Sequence, residues 1–176
     1  MKSKPKMILK IVSNSLVILV IVFAFLLHGT QLVGLEPYSV LSGSMQSVYP
    51  TGSLLYIRNV NPETLVVGDV ITYKMTGGAL CTHRIIEIVP DEKNPKIIHF
   101  RTKGDENDTV DPLVDSNNVV GKAVFCIPFL GYLAMYIATP PGKYIAITIA
   151  VALVLIEIMI GIILDSNSEK QSKKQN

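Results

Sequence analysis

The chain has little excess charge, few cysteines and no spaced set of metal-binding side chains. Its 176 residues carry a net charge of +2. A nucleic-acid-binding protein needs a clustered basic face instead, so we exclude nucleic acid as a partner. Of its two cysteines, neither belongs to a CxxC pair, and no second histidine or cysteine lies at ligand spacing from His83 or His99. We therefore expect no metal and no cofactor.

The two cysteines, Cys81 and Cys126, lie in different predicted strands. They could form a disulfide in an oxidising compartment. Isolated strand cysteines more often pack as small hydrophobic residues, so both alternatives stay open.

Hydrophobic residues make up 49% of the chain and concentrate at its two ends. The first apolar run covers residues 7–27, about the 20 residues that a helix needs to cross a membrane. Lysines precede it at positions 2, 4, 6 and 10, and no lysine or arginine follows before Arg58. This bias predicts a cytoplasmic N-terminus. A cleavable signal peptide has a similar pattern, but residues 28–31 do not form a small-x-small cleavage site. We therefore predict that residues 1–28 are a basic start and an uncleaved transmembrane helix.

The second apolar run covers residues 144–164 and follows Pro140–Pro141, which cannot lie inside a helix. We predict a transmembrane helix at residues 143–164. Glu157 is its only charged residue, and a membrane-embedded acid is a functional candidate by default. We expect it to be protonated or to face the other helix. Residues 165–176 are predicted to be a disordered cytoplasmic tail, which leaves residues 29–142 outside.

The outward region is predicted to be mostly β. It contains short stretches rich in β-branched and aromatic residues, separated by turn residues. These stretches lie at residues 53–58, 66–74, 80–89, 97–103 and 119–127. No part of the region has a helical apolar period over three turns. Roughly 110 residues suffice for a small core. The predicted fold is therefore a small coiled-sheet or barrel-like domain flanked by an N-terminal and a C-terminal transmembrane helix.

Three features of the outward region have catalytic potential: the hydroxyl cluster Ser42–Gly43–Ser44, the strand residue His83, and an acidic loop containing Asp105 and Asp111. A serine needs a base within hydrogen-bond reach to act as a nucleophile. Histidine suits this task because its ordinary pKa lies near neutrality, and a carboxylate can orient it. Each feature alone is a weak signal, since strand histidines are usually structural and acidic loops are usually solvated.

Four motifs in order resemble those of the type I signal peptidases. They are Ser42–Met45 with Pro50–Leu54, then Val67–Ile71, then Thr82–Ile85, and finally Thr102–Asp105 with Asp111 and Val120–Ala123. The resemblance runs from the first apolar run to about Gly131. It is to the branch of the endoplasmic reticulum, archaea and some Gram-positive bacteria, which has histidine where the common bacterial branch has lysine. In this chain residues 46–49 separate the methionine from the proline, which the family usually places closer together.

The resemblance implies a role for each motif residue. Ser44 is implied as the nucleophile, because it directly precedes Met45, and His83 as the general base. The Ser42 hydroxyl and the Ser44 N–H are implied as donors to the oxyanion, with Met45 beside them at the substrate. Such donors stabilise a transition state by about 2.7–4 kcal/mol, so we expect Ser42→Ala to impair activity without abolishing it.

The assignment of the acid has two alternatives. We expect Asp111 to orient the histidine and Asp105 to organise the loop, and the reverse assignment stays open. Asp108 and Asp115 are expected to be solvated.

The implied function is a membrane-bound serine endopeptidase that removes signal peptides from exported preproteins. Its expected partners are membrane-tethered preproteins, the lipid bilayer and the secretion machinery, and its expected location is the cell membrane, with the catalytic domain outside. Residues near Met45, Val48 and Tyr49 are expected to touch lipid. Two alternatives remain: a serine–lysine peptidase that uses Lys74 or Lys103 as its base, and a non-enzymatic surface scaffold.

Overall fold

The computed structural model describes residues 4–91, 94 and 97–172. The chain divides into two compact units. One unit is His28–Met135, and the other combines Met1–Leu27 with Tyr136–Asn176.

The first unit contains a single antiparallel sheet that curls into a half-barrel. Its strands are β1 (Leu35–Ser39), β2 (Leu54–Arg58), β3 (Val70–Lys74), β4 (Leu80–Pro90), β5 (Ile98–Lys103), β6 (Val114–Asp115) and β7 (Val119–Ile127). Their spatial order is β1-β2-β7-β3-β4-β5-β6. Short 3-10 turns lie at Gly29–Val33, Pro62–Thr64 and Ser116–Asn118. The predicted fold class, mostly β with a coiled sheet and two long apolar helices, is confirmed.

Strand β3 is shorter than predicted. It begins at Val70 because residues 66–69 form a turn. The Asp69 carboxylate accepts from the Val66 N–H at 3.2 Å, and Gly68 has a φ of 98°, which favours glycine.

Strands β1 and β6 were not predicted. β1 contains Pro37, which is tolerated because this strand lies at the edge of the sheet. β6 has only two residues, too few for an alternating pattern.

The core forms two clusters that share strand β3. Because successive side chains of a strand point to opposite faces, Val70 packs in one cluster and Ile71 in the other. The first cluster comprises Leu65, Ile71, Tyr73, Ile85, Phe100 and Val114. The second comprises Met45, Leu55, Ile57, Val70 and Ala123. Strand β3 is therefore covered on both faces, and this packing holds it in place beside the paired strand β4.

The helices are α1 (Lys4–His28), α2 (Leu130–Ala138) and α3 (Pro140–Ser172). By length and composition, Met7–Val33 and Pro140–Ile163 could each cross a membrane. α3 begins at the two prolines, which the first helical turn tolerates. α2 was not predicted, because its residues are almost uniformly apolar and show no polar face.

The structure agrees with the prediction for Glu157 and differs from the prediction for the C-terminal tail. Ser13 donates a hydrogen bond to Glu157, so Glu157 faces α1, one of the two alternatives expected for it. The predicted disordered tail, in contrast, is helical as far as Ser172, where residues 169–171 are good helix formers. Residues 173–176 of that tail lie outside the described residues.

Candidate active site

Ser44 lies in a tight turn between β1 and β2. The turn is closed by backbone bonds from the Gln46 N–H to the Gly43 carbonyl at 3.0 Å and from the Tyr49 N–H to the Met45 carbonyl at 2.7 Å. The Gln46 side chain accepts from both the N–H and the hydroxyl of Thr51 at 2.9 Å. The four residues that separate Met45 from Pro50 therefore form a helical turn that is tied to the following chain.

Met45 anchors this turn in the core. It is only 2% exposed, so Met45 itself does not belong to the apolar surface expected near Met45, Val48 and Tyr49. Its neighbour Val48 is exposed, and Tyr49 is half-buried. Met45 also lines the cleft beside Ser44.

His83 lies on β4, opposite Ile71 of β3. It is 5% exposed, and its Nε2 is 3.0 Å from the Ser44 Oγ. Cys81, two residues earlier on the same face, has its Sγ 3.4 Å from the His83 Nδ1. The structure thus brings the two predicted residues Ser44 and His83 within hydrogen-bond distance.

Asp111 lies in the loop after β5 and faces the other side of the imidazole. Its Oδ2 is 2.6 Å from the His83 Nδ1. The same oxygen accepts from the Thr102 hydroxyl at 2.7 Å and from the Tyr73 hydroxyl at 3.2 Å. The Asp111 N–H donates to the Thr102 carbonyl at 2.9 Å, which holds the loop against β5. Tyr73, Thr102 and Cys81 were not among the predicted site residues, although Thr102 lies within one of the four motifs.

Asp105 has a different partner. Arg84 donates from Nε and from a terminal nitrogen to the two Asp105 oxygens, at 2.9 and 2.6 Å. A further Arg84 nitrogen donates to the Gly68 carbonyl at 2.8 Å. The structure thus places Asp111 beside His83 and pairs Asp105 with Arg84.

The acidic loop approaches the serine turn closely. The Glu106 N–H donates to the Ser44 carbonyl at 3.0 Å. A Cβ at Gly104 would lie 2.7 Å from that carbonyl oxygen, so only glycine fits here without a shift of the backbone. Asp108 is exposed, as expected. Asp115 has intermediate exposure, and its carboxylate accepts from the Asn117 N–H at 2.8 Å.

The surroundings of these groups set their charges. Burial lowers the pKa of His83, but the hydrogen bonds and charges of Cys81 and Asp111 raise it by more, and the net pKa is about 9. Burial raises the pKa of Tyr73 well above its ordinary value, so its hydroxyl keeps its proton. The hydrogen bond from Arg84 holds the pKa of Asp105 below its usual range.

A cleft of about 700 Å³ opens beside Ser44 and His83. Its lining consists of Tyr38, Ser39, Val40, Leu41, Ser42, Ser44, Met45, Tyr49, Leu55, Thr72, Met75, Ala79, Leu80, Cys81, Thr82, His83 and Asn107. Among the described residues, this lining includes neither Lys74 nor Lys103. Apart from His83, Asn107 and Cys81, the lining residues of the cleft have apolar or hydroxyl side chains.

The groups expected to bind an oxyanion lie at the cleft. The Ser42 Oγ is 3.5 Å from the Ser44 Oγ. Within the described part of the chain, the Ser44 N–H has no hydrogen-bond acceptor, so it remains available to a ligand.

Cys81 and Cys126 are both free thiols.

Comparison with known proteins relates the chain to one group of enzymes. No protein-family model matches it. Signal peptidase I W of Bacillus subtilis (strain 168) is 36% identical over 123 residues, which are 62% of this chain and 63% of that protein. The signal peptidase complex catalytic subunit SEC11C of Rattus norvegicus is 30% identical over 128 residues, 67% of this chain and 66% of that protein. The signal peptidase complex catalytic subunit SEC11 of Tuber melanosporum (strain Mel28) is 30% identical over 158 residues, 78% and 83% of the two chains. The chain thus spans slightly less than two thirds of the first two relatives and most of the third.

Proposed function

Because the chain belongs to the type I signal peptidases, in the branch typical of the endoplasmic reticulum and archaea, we propose that it removes signal peptides from exported preproteins. The observation that carries this proposal is the line of contacts from Ser44 through His83 to Asp111, with separations of 3.0 and 2.6 Å. These are the distances that a nucleophile, a base and an orienting carboxylate need.

In the proposed reaction the Ser44 Oγ attacks the scissile carbonyl, and its proton passes to the His83 Nε2. The negative charge that develops on the carbonyl oxygen is stabilised by the Ser44 N–H and the Ser42 hydroxyl. His83 then donates its proton to the departing amine, which leaves an acyl-enzyme on Ser44. A water molecule, deprotonated by His83, attacks this ester and releases the signal peptide with a free carboxylate.

The charge of His83 determines when this reaction can start. A base must be neutral to accept a proton, whereas the pKa of His83 is about 9. The imidazole of the free protein is therefore mostly protonated at neutral pH, and we expect the reaction to accelerate as the pH rises. The Asp111 carboxylate accepts a hydrogen bond from the His83 Nδ1–H. In the neutral imidazole the unprotonated nitrogen is therefore Nε2, which faces Ser44.

The proposed substrate is an extended, membrane-tethered peptide that lies in the cleft. Extended peptides bind well beside exposed strands, where alternate side chains enter pockets. The cleft borders the chain after β1 and the start of β4. We expect small side chains one and three residues before the cut, as the resemblance to the signal peptidases implies; Tyr38 and Met45 are among the residues that line the cleft.

We propose that the two long apolar helices anchor the protein as a multi-pass membrane protein. Both have the length and composition of a membrane span, and the lysines before the first helix favour a cytoplasmic N-terminus. In this arrangement residues 29–142 face outside, residues 143–164 cross back, and the tail is cytoplasmic. Anchoring raises the local concentration of tethered preproteins. The rat relative is named as a subunit of a signal peptidase complex, and we propose that this chain also contacts the secretion machinery.

Cleavage of a preprotein in reconstituted membranes tests the function. Ser44→Ala removes the nucleophile, so we expect the cleavage rate to fall by at least about a thousandfold. Ser47→Ala is the matched control, because Ser47 is exposed in the same turn, and it should cleave like the wild type. Unchanged cleavage by Ser44→Ala would contradict the proposal, because the cut would then not depend on Ser44. An absence of cleavage by the wild type would support the scaffold alternative.

A further inference from the structure

One oxygen of Asp111 is the acceptor for three donors. The Oδ2 is 2.6 Å from the His83 Nδ1, 2.7 Å from the Thr102 hydroxyl and 3.2 Å from the Tyr73 hydroxyl. Thr102 is fully buried, and Tyr73 is 5% exposed. The reaction described above uses neither hydroxyl, although both lie next to the carboxylate that contacts the base.

The directions of these bonds follow from the distances. Thr102 has one hydroxyl proton, and its oxygen is 2.7 Å from Asp111 but 3.3 Å from the Tyr73 oxygen. The shorter, charge-assisted bond is the stronger one, so Thr102 donates to Asp111. Tyr73 keeps its own proton and also donates to Asp111. Both hydroxyls therefore donate to the same oxygen that accepts a hydrogen bond from the His83 Nδ1–H.

The sheet register explains how two distant residues meet at this oxygen. Tyr73 on β3 pairs with Cys81, and Thr102 on β5 pairs with Ile85. Cys81 and Ile85 lie two residues before and two residues after His83, on the same face of β4. Tyr73 and Thr102 thus flank His83 from the two neighbouring strands, whose positions are fixed by the ladder of the sheet.

We propose that Tyr73 and Thr102 are positioning residues that hold the Asp111 carboxylate in line with the His83 Nδ1. Asp111 belongs to a loop, and its orientation would otherwise depend on the mobility of that loop. Because the two hydroxyls belong to residues of the rigid strands β3 and β5, their hydrogen bonds restrict the orientation of the Asp111 carboxylate. The inference deepens the proposed function and depends on it for its catalytic meaning, whereas the contacts themselves can be tested without a substrate.

Proton NMR of the full chain in detergent micelles measures the His83–Asp111 bond directly. The chain has three histidines, so selective labelling and substitution of the other two assign the His83 Nδ1 proton. A short hydrogen bond places this resonance far downfield. We expect Thr102→Val to move it upfield or broaden it, because the carboxylate loses its closest hydroxyl donor. Tyr73→Phe should have the same effect to a smaller degree, since its bond is longer.

Two variants serve as controls. Thr102→Ser retains the hydroxyl and should keep the resonance in place. Tyr56→Phe makes the same chemical change as Tyr73→Phe in a fully buried tyrosine that stacks on Phe125, with ring centroids 4.6 Å apart. It should also leave the resonance unchanged. An unmoved or further downfield resonance in both Thr102→Val and Tyr73→Phe would overturn the inference, and so would an equal shift in Tyr56→Phe.

Cleavage kinetics of the same variants separate this inference from the proposed function. We expect Thr102→Val to lower kcat roughly tenfold and Tyr73→Phe by a smaller factor, as for a lost bond to a charged group, with KM nearly unchanged. If the resonances move as expected but the wild type cleaves no preprotein, the proposed function fails and the positioning role stands. If the wild type cleaves and the resonances do not move, the positioning role fails alone.

Discussion

His83 and Arg84 are neighbours on strand β4, yet they form two different acid–base pairs on opposite faces of the sheet. His83 is 5% exposed and contacts Asp111. The Arg84 side chain is 32% exposed and forms a two-pronged ion pair with Asp105. Both aspartates come from the same loop after β5. The alternation of side chains along one strand therefore separates the two pairs.

The difference between the pairs lies in whether their charge can change. Arginine stays protonated at any pH that a protein survives, so the ion pair of Arg84 and Asp105 does not change its charge. Arg84 also donates a hydrogen bond to the Gly68 carbonyl. Histidine can release its proton, and His83 lies beside a serine hydroxyl. A fixed pair suits the organisation of a loop, whereas a titratable pair suits proton transfer. We propose these separate roles for the two pairs.

The largest expected contrast is between the two aspartates. Asp111→Asn should lower kcat by about 10³–10⁴-fold, as for loss of the orienting carboxylate in other serine enzymes. Asp105→Asn should lower it by less than about tenfold, because an ion pair of this exposure contributes only about 1 kcal/mol. Cleavage of one preprotein by both variants in the same membranes measures the contrast. A larger loss for Asp105→Asn would reverse the assignment of the two acids.

A smaller effect is expected on the pH dependence. The folded-state pKa of His83 is about 9, above its ordinary value of about 6.5, and the base is active only when neutral. The rate kcat/KM should therefore rise with pH up to about 9. Cys81→Ala should move this rise to lower pH, because one of the groups that raise the pKa of His83 is removed. Arg84→Met should leave it in place, since Arg84 faces the other side of the sheet. A rise centred near 6.5 in the wild type would contradict this electrostatic account.

The sequence predicted the part of this site that depends on local patterns. The alternating stretches around His83 and Thr102 identified β4 and β5 to within a residue of their ends. The resemblance of four ordered motifs to those of the type I signal peptidases singled out Ser44, His83, Asp105 and Asp111. Each motif alone is a weak signal, but their order along the chain can be read without knowing how the chain folds.

Contacts between distant segments were not predictable in this way. The sequence left both assignments of the aspartates open, because Asp105 and Asp111 lie six residues apart in one loop and the choice depends on how that loop folds over β4. Tyr73 and Asp111 lie 38 positions apart in the chain. Predicting their contact would have required knowledge of the strand order β3-β4-β5. The burial of Met45 likewise depends on the packing of the serine turn against β2 and β7, which no local pattern indicates.

The most direct test of the proposed roles of His83 and Arg84 substitutes each of these two residues by itself. Single-turnover cleavage of a membrane-tethered preprotein should be compared for His83→Ala, Arg84→Ala and the wild type. We expect His83→Ala to lower the cleavage rate by about 10⁴-fold or more, while Arg84→Ala retains a rate within about tenfold of the wild type. Substantial cleavage by His83→Ala would contradict the account and point to a lysine base.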